Sequence, residues 1–372
     1  MRIGFDGKFL TSNATPGAKS GNSVHAKELL CQLMALDKDT RYSVYTINGI
    51  PAFPPARNVT FHALSRGSKS AYFRYAIEYP LRLLRNPVDV MISFTTLSPF
   101  IRCKHVLFLP DISWIVHPEW LPRTYSVPEG IATRISVRSA DMIIAPTEFS
   151  RSEIVRHLRV PEHKVAVVPH GTRERFLERV DTQRIEALKR KYGVPSGYIL
   201  SINDIHPRKN IEGLIDAFCY MKETYGIDQK LMLVGQALWH YPTFFEKVAS
   251  AKYRDDIVLT GYVPGEEILP LYQGASAFVY PSFYEGWGLQ IHEAMASGVP
   301  VAVSNAASLP EVSGEAAVQF NPADSHDMGE KIYSLLSDKA LAQQLISSGY
   351  DQVKKFSWQE SARMTLDICR AL

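Results

Sequence analysis

The residues best suited to chemistry lie near the C-terminal end, where Glu285 and Glu293 flank a Gly-Trp-Gly turn at a spacing of eight positions. An apolar run before them predicts a buried parallel strand, and Gln290 to Ala296 predicts a helix, so Gly286 and Gly288 fall in a strand-to-helix loop. Backbone amides at the N-terminus of a helix suit an anion. Carboxylates beside that anion can accept hydrogen bonds from hydroxyl groups. A phosphate that carries sugars needs both features, so the pattern indicates a nucleotide sugar.

The segment from Pro281 to Pro300 resembles the Glu-x7-Glu signature of retaining glycosyltransferases of family 4, whose members have the GT-B fold. Other segments match that family in the expected order: the Arg-Lys-Asn element within Asp204 to Ile211, the nucleobase-side segment from Gly261 to Pro264, and Phe356-Ser357-Trp358 before a final helix. The resemblance extends to bacterial mannosyltransferases of O-antigen-type surface polysaccharide. It implies an α/β protein with two doubly wound Rossmann-like domains facing a cleft, and a C-terminal helix that crosses back to the N-terminal domain.

The bulk properties of the chain are those of a globular protein. Its 372 residues suit two domains of moderate size. Hydrophobic residues make up 46% and charged residues 21%, and no apolar run approaches the ~20 residues that span a bilayer. The N-terminus enters a strand-like pattern without a signal peptide, and the four cysteines are far apart, so we expect a cytoplasmic protein with reduced thiols. A net charge of +3 is too small to indicate nucleic acid as a partner.

Apolar runs alternate with helical patterns in both halves of the chain, which is typical of βαβ units and parallel sheets. The first series extends from Arg2 to Val168 and the second from Tyr198 to Val303. We place an N-terminal acceptor-binding domain at 1–175 together with the helix 358–372, and a C-terminal nucleotide-sugar-binding domain at 176–357. Ligands of doubly wound sheets bind beyond the carboxyl ends of the strands, so we expect the donor there, in the cleft between the domains.

Two adjacent cations, Arg208 and Lys209, follow a strand and precede the predicted helix Ile211 to Tyr225. The alternative to a functional role is a solvated pair, although positive charge at a helix N-terminus opposes the helix dipole. Together with the helix end, the cations could bind a diphosphate and stabilise the charge of a leaving group. We therefore include both among the candidate catalytic residues.

The two glutamates have separate roles by resemblance to the family. Glu285 reaches the hydroxyls of the donor sugar and acts in catalysis, and Glu293 holds the ribose. Apolar neighbours of Glu293 suggest partial burial, whereas the alternative is a surface position on its helix. Further donor contacts are expected at Asn203, Val263, Gly286, Trp287, Gly288 and Leu289. For Val263 the alternative is an ordinary valine at the end of a strand.

In the N-terminal half, Gly17 and Gly21 flank a predicted loop that also contains Asn22 and precedes the helix Val24 to Leu36. The glycine spacing is not that of a dinucleotide fingerprint. The resemblance implies that Gly21 and Asn22 approach the donor diphosphate and the acceptor. The alternative is a flexible loop without ligand contacts.

The segment from Leu109 to Trp120 resembles the His-Asp element of the family, which makes Asp111 a candidate catalytic residue. Pro110 stands where the family commonly has a histidine that touches the donor sugar near its sixth carbon. This departure suggests a pocket for a sugar that lacks the 6-hydroxyl, such as a 6-deoxyhexose. His117 either contacts a ligand or shapes the turn.

No metal or other cofactor is expected, because cations are already placed for the diphosphate. Asp37-Lys38-Asp39 resembles a metal-binding Asp-x-Asp, but its position after a helix predicts a solvated turn. Over residues 66–85, basic side chains alternate with aromatic and apolar ones. This stretch predicts a surface helix, a packing or dimer contact, or a peripheral contact with the inner face of the cytoplasmic membrane.

Taken with the resemblance, the sequence predicts a retaining glycosyltransferase that moves a hexose, mannose or a related sugar, from a nucleoside diphosphate to a glycan acceptor that is lipid-linked. GDP-mannose is the expected donor, in lipopolysaccharide or related polysaccharide synthesis. Two alternatives stay open. One is a nucleotide-sugar 2-epimerase of the same fold, and the other is a two-domain sugar-binding protein without turnover.

Overall fold

Two parallel sheets, one in each half of the chain, organise the fold. The computed structural model describes residues 1–10, 21–47, 53, 56–64, 74–236 and 242–372. By internal contacts these residues divide into Met1–Gly171 with Phe356–Leu372, and Thr172–Lys355. Gly17 and residues 66–73, which belong to the predicted glycine loop and the basic stretch, lie outside the described residues.

The first unit is built on a parallel sheet of seven strands in the order β3-β2-β1-β4-β5-β6-β7. The strands are β1 (Arg2–Asp6), β2 (Arg41–Thr46), β3 (Val59–Ala63), β4 (Val90–Phe94), β5 (Lys104–Phe108), β6 (Met142–Ala145) and β7 (Val165–Val167). The helices of this unit are α1 (Gly21–Leu36), α2 (Tyr79–Arg85), α3 (Ser113–Val116), α4 (Arg123–Ser139), α5 (Glu148–Leu158) and the C-terminal α14 (Trp358–Ala371). The central strand β4 is buried along its whole length, because helices cover both faces of the sheet.

The C-terminal helix α14 packs on α1 within the first unit. Ser357 caps α14, since its hydroxyl accepts a hydrogen bond of 3.1 Å from the Glu360 amide. At the other end, Arg370 Nη2 donates to Asp37 Oδ2 over 2.8 Å, and the Thr40 hydroxyl donates to the same oxygen. The expectation that the last helix returns to the N-terminal domain is confirmed. The Asp-x-Asp segment forms a turn, as predicted, but the prediction that it is solvated is wrong for Asp37, which is buried by these contacts.

The second unit contains a parallel sheet of six strands in the order β10-β9-β8-β11-β12-β13. The strands are β8 (Tyr198–Ile202), β9 (Lys230–Val234), β10 (Ile257–Gly261), β11 (Ala277–Tyr280), β12 (Val301–Ser304) and β13 (Val318–Phe320). The helices are α6 (Thr182–Lys191), α7 (Ile211–Tyr225), α8 (Pro242–Ser250), α9 (Gly265–Gly274), α10 (Leu289–Ala296), α11 (Leu309–Ser313), α12 (Ser325–Ser337) and α13 (Lys339–Lys354). Two parallel doubly wound sheets are therefore confirmed.

One local prediction is wrong. The structure describes helix α1 from Gly21 onward, ahead of the predicted start at Val24, so Gly21 and Asn22 lie in the helix and not in a loop before it. Intrinsic helix propensity is only a weak guide, so a glycine and an asparagine do not by themselves mark a loop.

Candidate functional site

The second sheet has a topological switch point between β8 and β11. These strands are neighbours, yet the chain leaves β8 toward β9 on one side and leaves β11 toward β12 on the other. A crevice forms outside the carboxyl ends of two such strands. The segment after β8 carries Arg208 and Lys209, and the segment after β11 carries Glu285, so the fold brings the predicted cations and the first predicted glutamate to one place.

Glu285 lies between the two cations. Its Oε2 is 2.6 Å from Arg208 Nη1, and its Oε1 is 2.5 Å from Lys209 Nζ. The Lys209 ammonium also donates to the Tyr280 hydroxyl over 2.9 Å. Only 6% of Glu285 and 9% of Lys209 are exposed. Arg208 is half-buried, so the three charged groups form a largely buried cluster with a net positive charge.

Backbone contacts hold the two loops of this cluster together. Phe283 N donates to Arg208 O over 2.9 Å, and Arg208 Nη1 donates to Tyr284 O over 2.8 Å. Asn210 ends the turn after Lys209 with a left-handed φ of +53°, and its side-chain amide donates to Pro281 O and Pro322 O at 3.1 and 2.7 Å. The cluster geometry is thus set by the loops themselves and not by flexible side chains alone.

The surrounding charges shift the titration of the cluster. Burial opposes ionisation of Glu285, but Arg208 and Lys209 outweigh it and lower the pKa of this carboxyl to about 2. Burial also lowers the pKa of Lys209, and Glu285 offsets part of that effect. Burial, together with the adjacent Arg208, lowers the pKa of His206 to about 4. A neutral His206 fits its contact, because Nδ1 accepts a hydrogen bond of 3.2 Å from the Arg208 amide.

Two helices begin at the same edge of the sheet. Helix α7 starts after Asn210 and helix α10 after Gly288, and neither of these two N-cap residues makes a side-chain cap hydrogen bond. Gly288 has φ +95°, a conformation that favours glycine. The amide of Leu289, the first residue of α10, lies at this uncapped end, and an amide in such a position suits an anion.

Glu293, the second glutamate, is buried on α10 with 7% of its surface exposed, so the prediction of partial burial is confirmed. Its Oε1 forms an ion pair with Arg173 Nη2, and Tyr272 donates to its Oε2 over 3.3 Å. The preceding residue on α10, His292, lies 3.4 Å from the Thr172 hydroxyl through Nδ1. Consecutive residues at the start of the second unit thus contact consecutive residues of α10.

Arg173 is the site residue that sequence reasoning missed. It begins a charged stretch that resembles a solvated linker, and nothing in its neighbours marks it. Its role is visible only in the folded chain, where the guanidinium carbon lies 4.8 Å from the ring centroid of Phe176 and the guanidinium pairs with Glu293. Nε of Arg173 is buried and has no hydrogen-bond partner among the described residues.

Asn203 lies at the end of β8, where it is 5% exposed. It borders a small cavity together with Ser201 and Gly235. Its Nδ2 donates to Ser201 Oγ over 3.1 Å, whereas its Oδ1 is buried with no partner among the described residues. Gly235 has φ +152°, and a Cβ there would stand 1.9 Å from Asn203 O, so only glycine fits this wall.

The remaining predicted residues lie as follows. Trp287 is buried against His292 with the ring centroids 5.3 Å apart, and Val263 is buried after β10. In the first unit, Asp111 Oδ1 accepts a hydrogen bond of 2.9 Å from the Ser113 amide at the start of α3. His117 stacks on Trp120 and contacts Glu119, which favours the structural alternative for this histidine.

Two family models match most of the chain. Residues 20–175 match Glycosyltransferase Family 4, and residues 185–352 match Glycosyl transferases group 1. The chain is 33% identical to O-antigen chain mannosyltransferase B of Escherichia coli over 70% of its own length and 69% of that protein. It is 32% identical to the serotype-specific mannosyltransferase WbdA of Escherichia coli over 61% of its length, and it spans 28% of that longer protein.

Solved structures share the fold at low sequence identity. Sucrose-phosphate synthase from Thermosynechococcus elongatus has a TM-score of 0.80 at 18% identity, covering 100% of this chain and 98% of that one. Anabaena HepE, solved in complex with UDP and glucose, has a TM-score of 0.76 at 16% identity with full coverage of both chains (100% each). WaaG, a glycosyltransferase involved in lipopolysaccharide biosynthesis, has a TM-score of 0.74 at 16% identity, with 99% of each chain covered.

Proposed function

Since this chain belongs to glycosyltransferase family 4, we propose that it transfers mannose from GDP-mannose to a glycan acceptor with retention at the anomeric carbon. The observation that carries the proposal is the buried Arg208, Lys209 and Glu285 cluster at the switch point of the second sheet. Two cations and two uncapped helix ends there suit a diphosphate, and the carboxylate beside them suits sugar hydroxyls.

In the proposed reaction the two cations hold the diphosphate while its bond to the sugar breaks. The acceptor hydroxyl bonds to the anomeric carbon, and its proton passes to the departing phosphate oxygen. Positive charge builds up on the sugar ring as it does in other glycosyl transfers, and Arg208 and Lys209 stabilise the negative charge that develops on the leaving group. No strong base is required. Retention rests on the family resemblance.

Glu285 has two parts in this scheme. Each of its oxygens accepts from one cation, and the Tyr280 hydroxyl also hydrogen-bonds to this carboxylate. A carboxylate has about four acceptor positions, so one position is left for a sugar hydroxyl. Glu293 holds the ribose, with Arg173 as its counter-ion. Asn203, Val263, Trp287 and the amides from Gly286 to Leu289 complete the donor site. Asp111, Gly21 and Asn22 of the first unit are proposed to act on the acceptor side and at the diphosphate.

The sugar and the base have different support. Mannose is supported by the relatives named as mannosyltransferases, whereas the guanine base rests on the family resemblance. Ser150 Oγ donates a hydrogen bond of 2.9 Å to the Pro110 carbonyl. Because Pro110 replaces the family histidine that touches the donor sugar near its sixth carbon, the proposal also allows a 6-deoxy sugar. Turnover of a hexose donor against its 6-deoxy counterpart compares the two directly.

The acceptor is proposed to be a lipid-linked glycan of O-antigen type, by analogy with the relative named O-antigen chain mannosyltransferase B. Among the described residues, every helix is too short or too polar to cross a membrane. We propose that the protein meets such an acceptor at the inner face of the cytoplasmic membrane.

The transfer is proposed to need no metal, because Arg208 and Lys209 supply the positive charge. Measuring sugar transfer in the presence of EDTA tests this.

A binding panel tests the donor site. GDP-, UDP-, dTDP- and ADP-linked sugars are compared by thermal shift on the wild type and on Lys209→Ala. Saturating ligand raises the melting temperature by mass action. We expect stabilisation by GDP-mannose that the variant loses. Stabilisation by another donor alone would replace the proposed base, and the absence of any shift would overturn the nucleotide-sugar assignment.

A further inference from the structure

Five side chains from two neighbouring helices meet on the surface of the second unit. Helices α7 and α12 pack against each other over the same core cluster. Two of the side chains lie in the last two turns of α7, and the other three lie along α12. We call this group the tyrosine cluster, and its members are Tyr220, Tyr225, His326, Glu330 and Tyr333. His326 and Glu330 are exposed, whereas the three tyrosines are half-buried.

The rings of the tyrosine cluster form two stacked pairs. The ring centroids of Tyr225 and Tyr333 are 3.7 Å apart, and the two planes are 5° from parallel. Those of Tyr220 and His326 are 4.5 Å apart, with an angle of 17° between the planes. The rings of Tyr220 and Tyr225 are 6.1 Å apart at an angle of 88°, so the two pairs meet at a right angle. The cluster is therefore an angled aromatic surface and not a flat patch.

A carboxylate lies where the two pairs meet. Tyr225 donates a hydrogen bond of 2.5 Å to Glu330 Oε1, and Tyr220 donates to the same oxygen. These hydrogen bonds lower the pKa of Glu330, so the carboxylate is ionised at neutral pH. Both tyrosines use Oε1, which leaves Oε2 to accept hydrogen bonds from a ligand.

The packing of the two helices fixes this arrangement. A Cβ at position 329 would stand 2.7 Å from Cδ1 of Tyr220, so Gly329 lets this ring lie against the backbone of α12. All three tyrosines also pack against the core cluster beneath the helices. Side chains that are already ordered lose little conformational entropy when a ligand binds.

The side chains of the tyrosine cluster indicate what kind of ligand it fits. The face of an aromatic ring is electron-rich and attracts the C–H groups on the apolar side of a sugar ring. The hydroxyls of the same sugar can donate to the carboxylate of Glu330. The members of the cluster carry one negative charge and no aliphatic side chain, a composition that suits neither a lipid bilayer nor an anionic ligand.

The tyrosine cluster is remote from the cations of the donor site. Helix α7 begins two residues after Lys209, and Tyr225 is its last residue. At a rise of 1.5 Å per residue, Tyr225 lies about 20 Å along the helix from that end. A sugar bound at the cluster is therefore not the sugar that the donor site holds.

We infer that the tyrosine cluster is a second glycan-binding site, on which a neutral sugar chain stacks against the rings while its hydroxyls donate to Glu330. Binding there needs no nucleotide. In a transferase that extends a sugar chain, such a site keeps the chain on the protein between successive transfers. The site is argued from its own contacts, and only this use and the choice of mannan as the probe rest on the proposed function.

Affinity electrophoresis tests the site. The probe is a neutral α-mannan in a native gel, with dextran in a second gel, and no nucleotide is added. The variants are Glu330→Gln, which keeps the shape of the side chain, and His326→Ala, which removes an exposed ring. Glu315→Gln and His163→Ala are the matched controls, because both residues are exposed. Unchanged melting temperatures establish that every variant is folded.

We expect mannan to retard the wild type and both controls equally. Glu330→Gln should bind about tenfold more weakly, the order of one hydrogen bond to a charged acceptor. His326→Ala should bind about fivefold more weakly, the order of one aromatic contact. Retardation by dextran that the same two variants lose would equally support a glycan site.

The inference is overturned if neither polysaccharide retards the wild type, or if both cluster variants are retarded as strongly as the wild type. A wild-type dimer that these variants dissociate without glycan binding would also overturn it, since the cluster would then be a contact between copies of the chain. GDP binding is measured by calorimetry on the same proteins, and both cluster variants should keep it. Its absence from the wild type would overturn the donor site alone.

Discussion

The substitution Glu285→Gln removes the one negative charge of the buried cluster while keeping its shape. The folded protein lowers the pKa of this carboxyl from 4.5 to about 2. That difference corresponds to about 3 kcal/mol in favour of the ionised, paired state. Removing one partner of a buried pair commonly costs ~3–5 kcal/mol, because the opposite charge stays buried without compensation. We expect the free energy of unfolding of the second unit to fall by about 3 kcal/mol, measured by urea denaturation.

The same variant should bind a nucleoside diphosphate more tightly than the wild type does. In the wild type Glu285 lies within 2.6 Å of both cations and competes with the diphosphate for them. Without it, we expect GDP to bind about tenfold more tightly by calorimetry, a gain of about 1.4 kcal/mol. Sugar transfer should fall at least ~100-fold, since the contact to the donor sugar is lost.

Glu315→Gln is the control, because Glu315 is an exposed glutamate of the same unit. It should change the free energy of unfolding by less than about 0.5 kcal/mol. Weaker GDP binding by Glu285→Gln would refute the competition between carboxylate and diphosphate. Unchanged stability would refute the assignment of Glu285 as the counter-ion of the cluster.

Three other perturbations follow from the same contacts. Because the pKa of Glu285 is lowered to about 2, its contribution to stability is complete above about pH 4.5 and is lost as the pH falls toward 2. In acid denaturation, the difference in free energy of unfolding between the wild type and Glu285→Gln should therefore disappear across that pH range. Arg173→Ala should raise KM for the donor ~10-fold with a small change in kcat, because it leaves Glu293 buried without its counter-ion. Arg173→Lys, which keeps the positive charge, should recover part of the donor affinity. An effect on kcat alone would contradict a role in ribose positioning. Gly235→Ala should lower the free energy of thermal unfolding by more than about 2 kcal/mol, because the new Cβ would meet Asn203 O at 1.9 Å. The control Gly193→Ala, at φ +68°, would place its Cβ with no described atom within 4 Å and should cost about 1 kcal/mol. Equal costs would refute the steric argument.

The parts of the site that lie within one strand-loop-helix segment could be predicted from the sequence. Helix Ile211–Tyr225 has the predicted bounds, and the segment around Glu285 runs from a buried strand through a glycine loop into a helix. Apolar periodicity and glycines are local signals, so they can be interpreted without knowledge of the fold. The burial of Glu293 followed from its apolar neighbours for the same reason.

The contacts between segments could not be predicted in this way. Arg208 and Glu285 are 77 positions apart, and they meet only because β8 and β11 are neighbours in the sheet. Arg173 reaches Glu293 across an even longer interval, so its role had no local signal. Strand β13 lies beyond the second predicted series, because its three residues, of which only Phe320 is buried, carry too short an apolar pattern.

Transfer from a defined donor tests the central claim most directly. The protein is incubated with a lipid-linked glycan acceptor and, in separate reactions, GDP-mannose and UDP-, dTDP- and ADP-linked sugars, and the anomeric configuration of the product is read by NMR. We predict an α-mannosyl product from GDP-mannose, in which the configuration of the donor is retained, and its loss in Lys209→Ala. A product of inverted configuration, or transfer from another donor while GDP-mannose stays inert, would contradict the account.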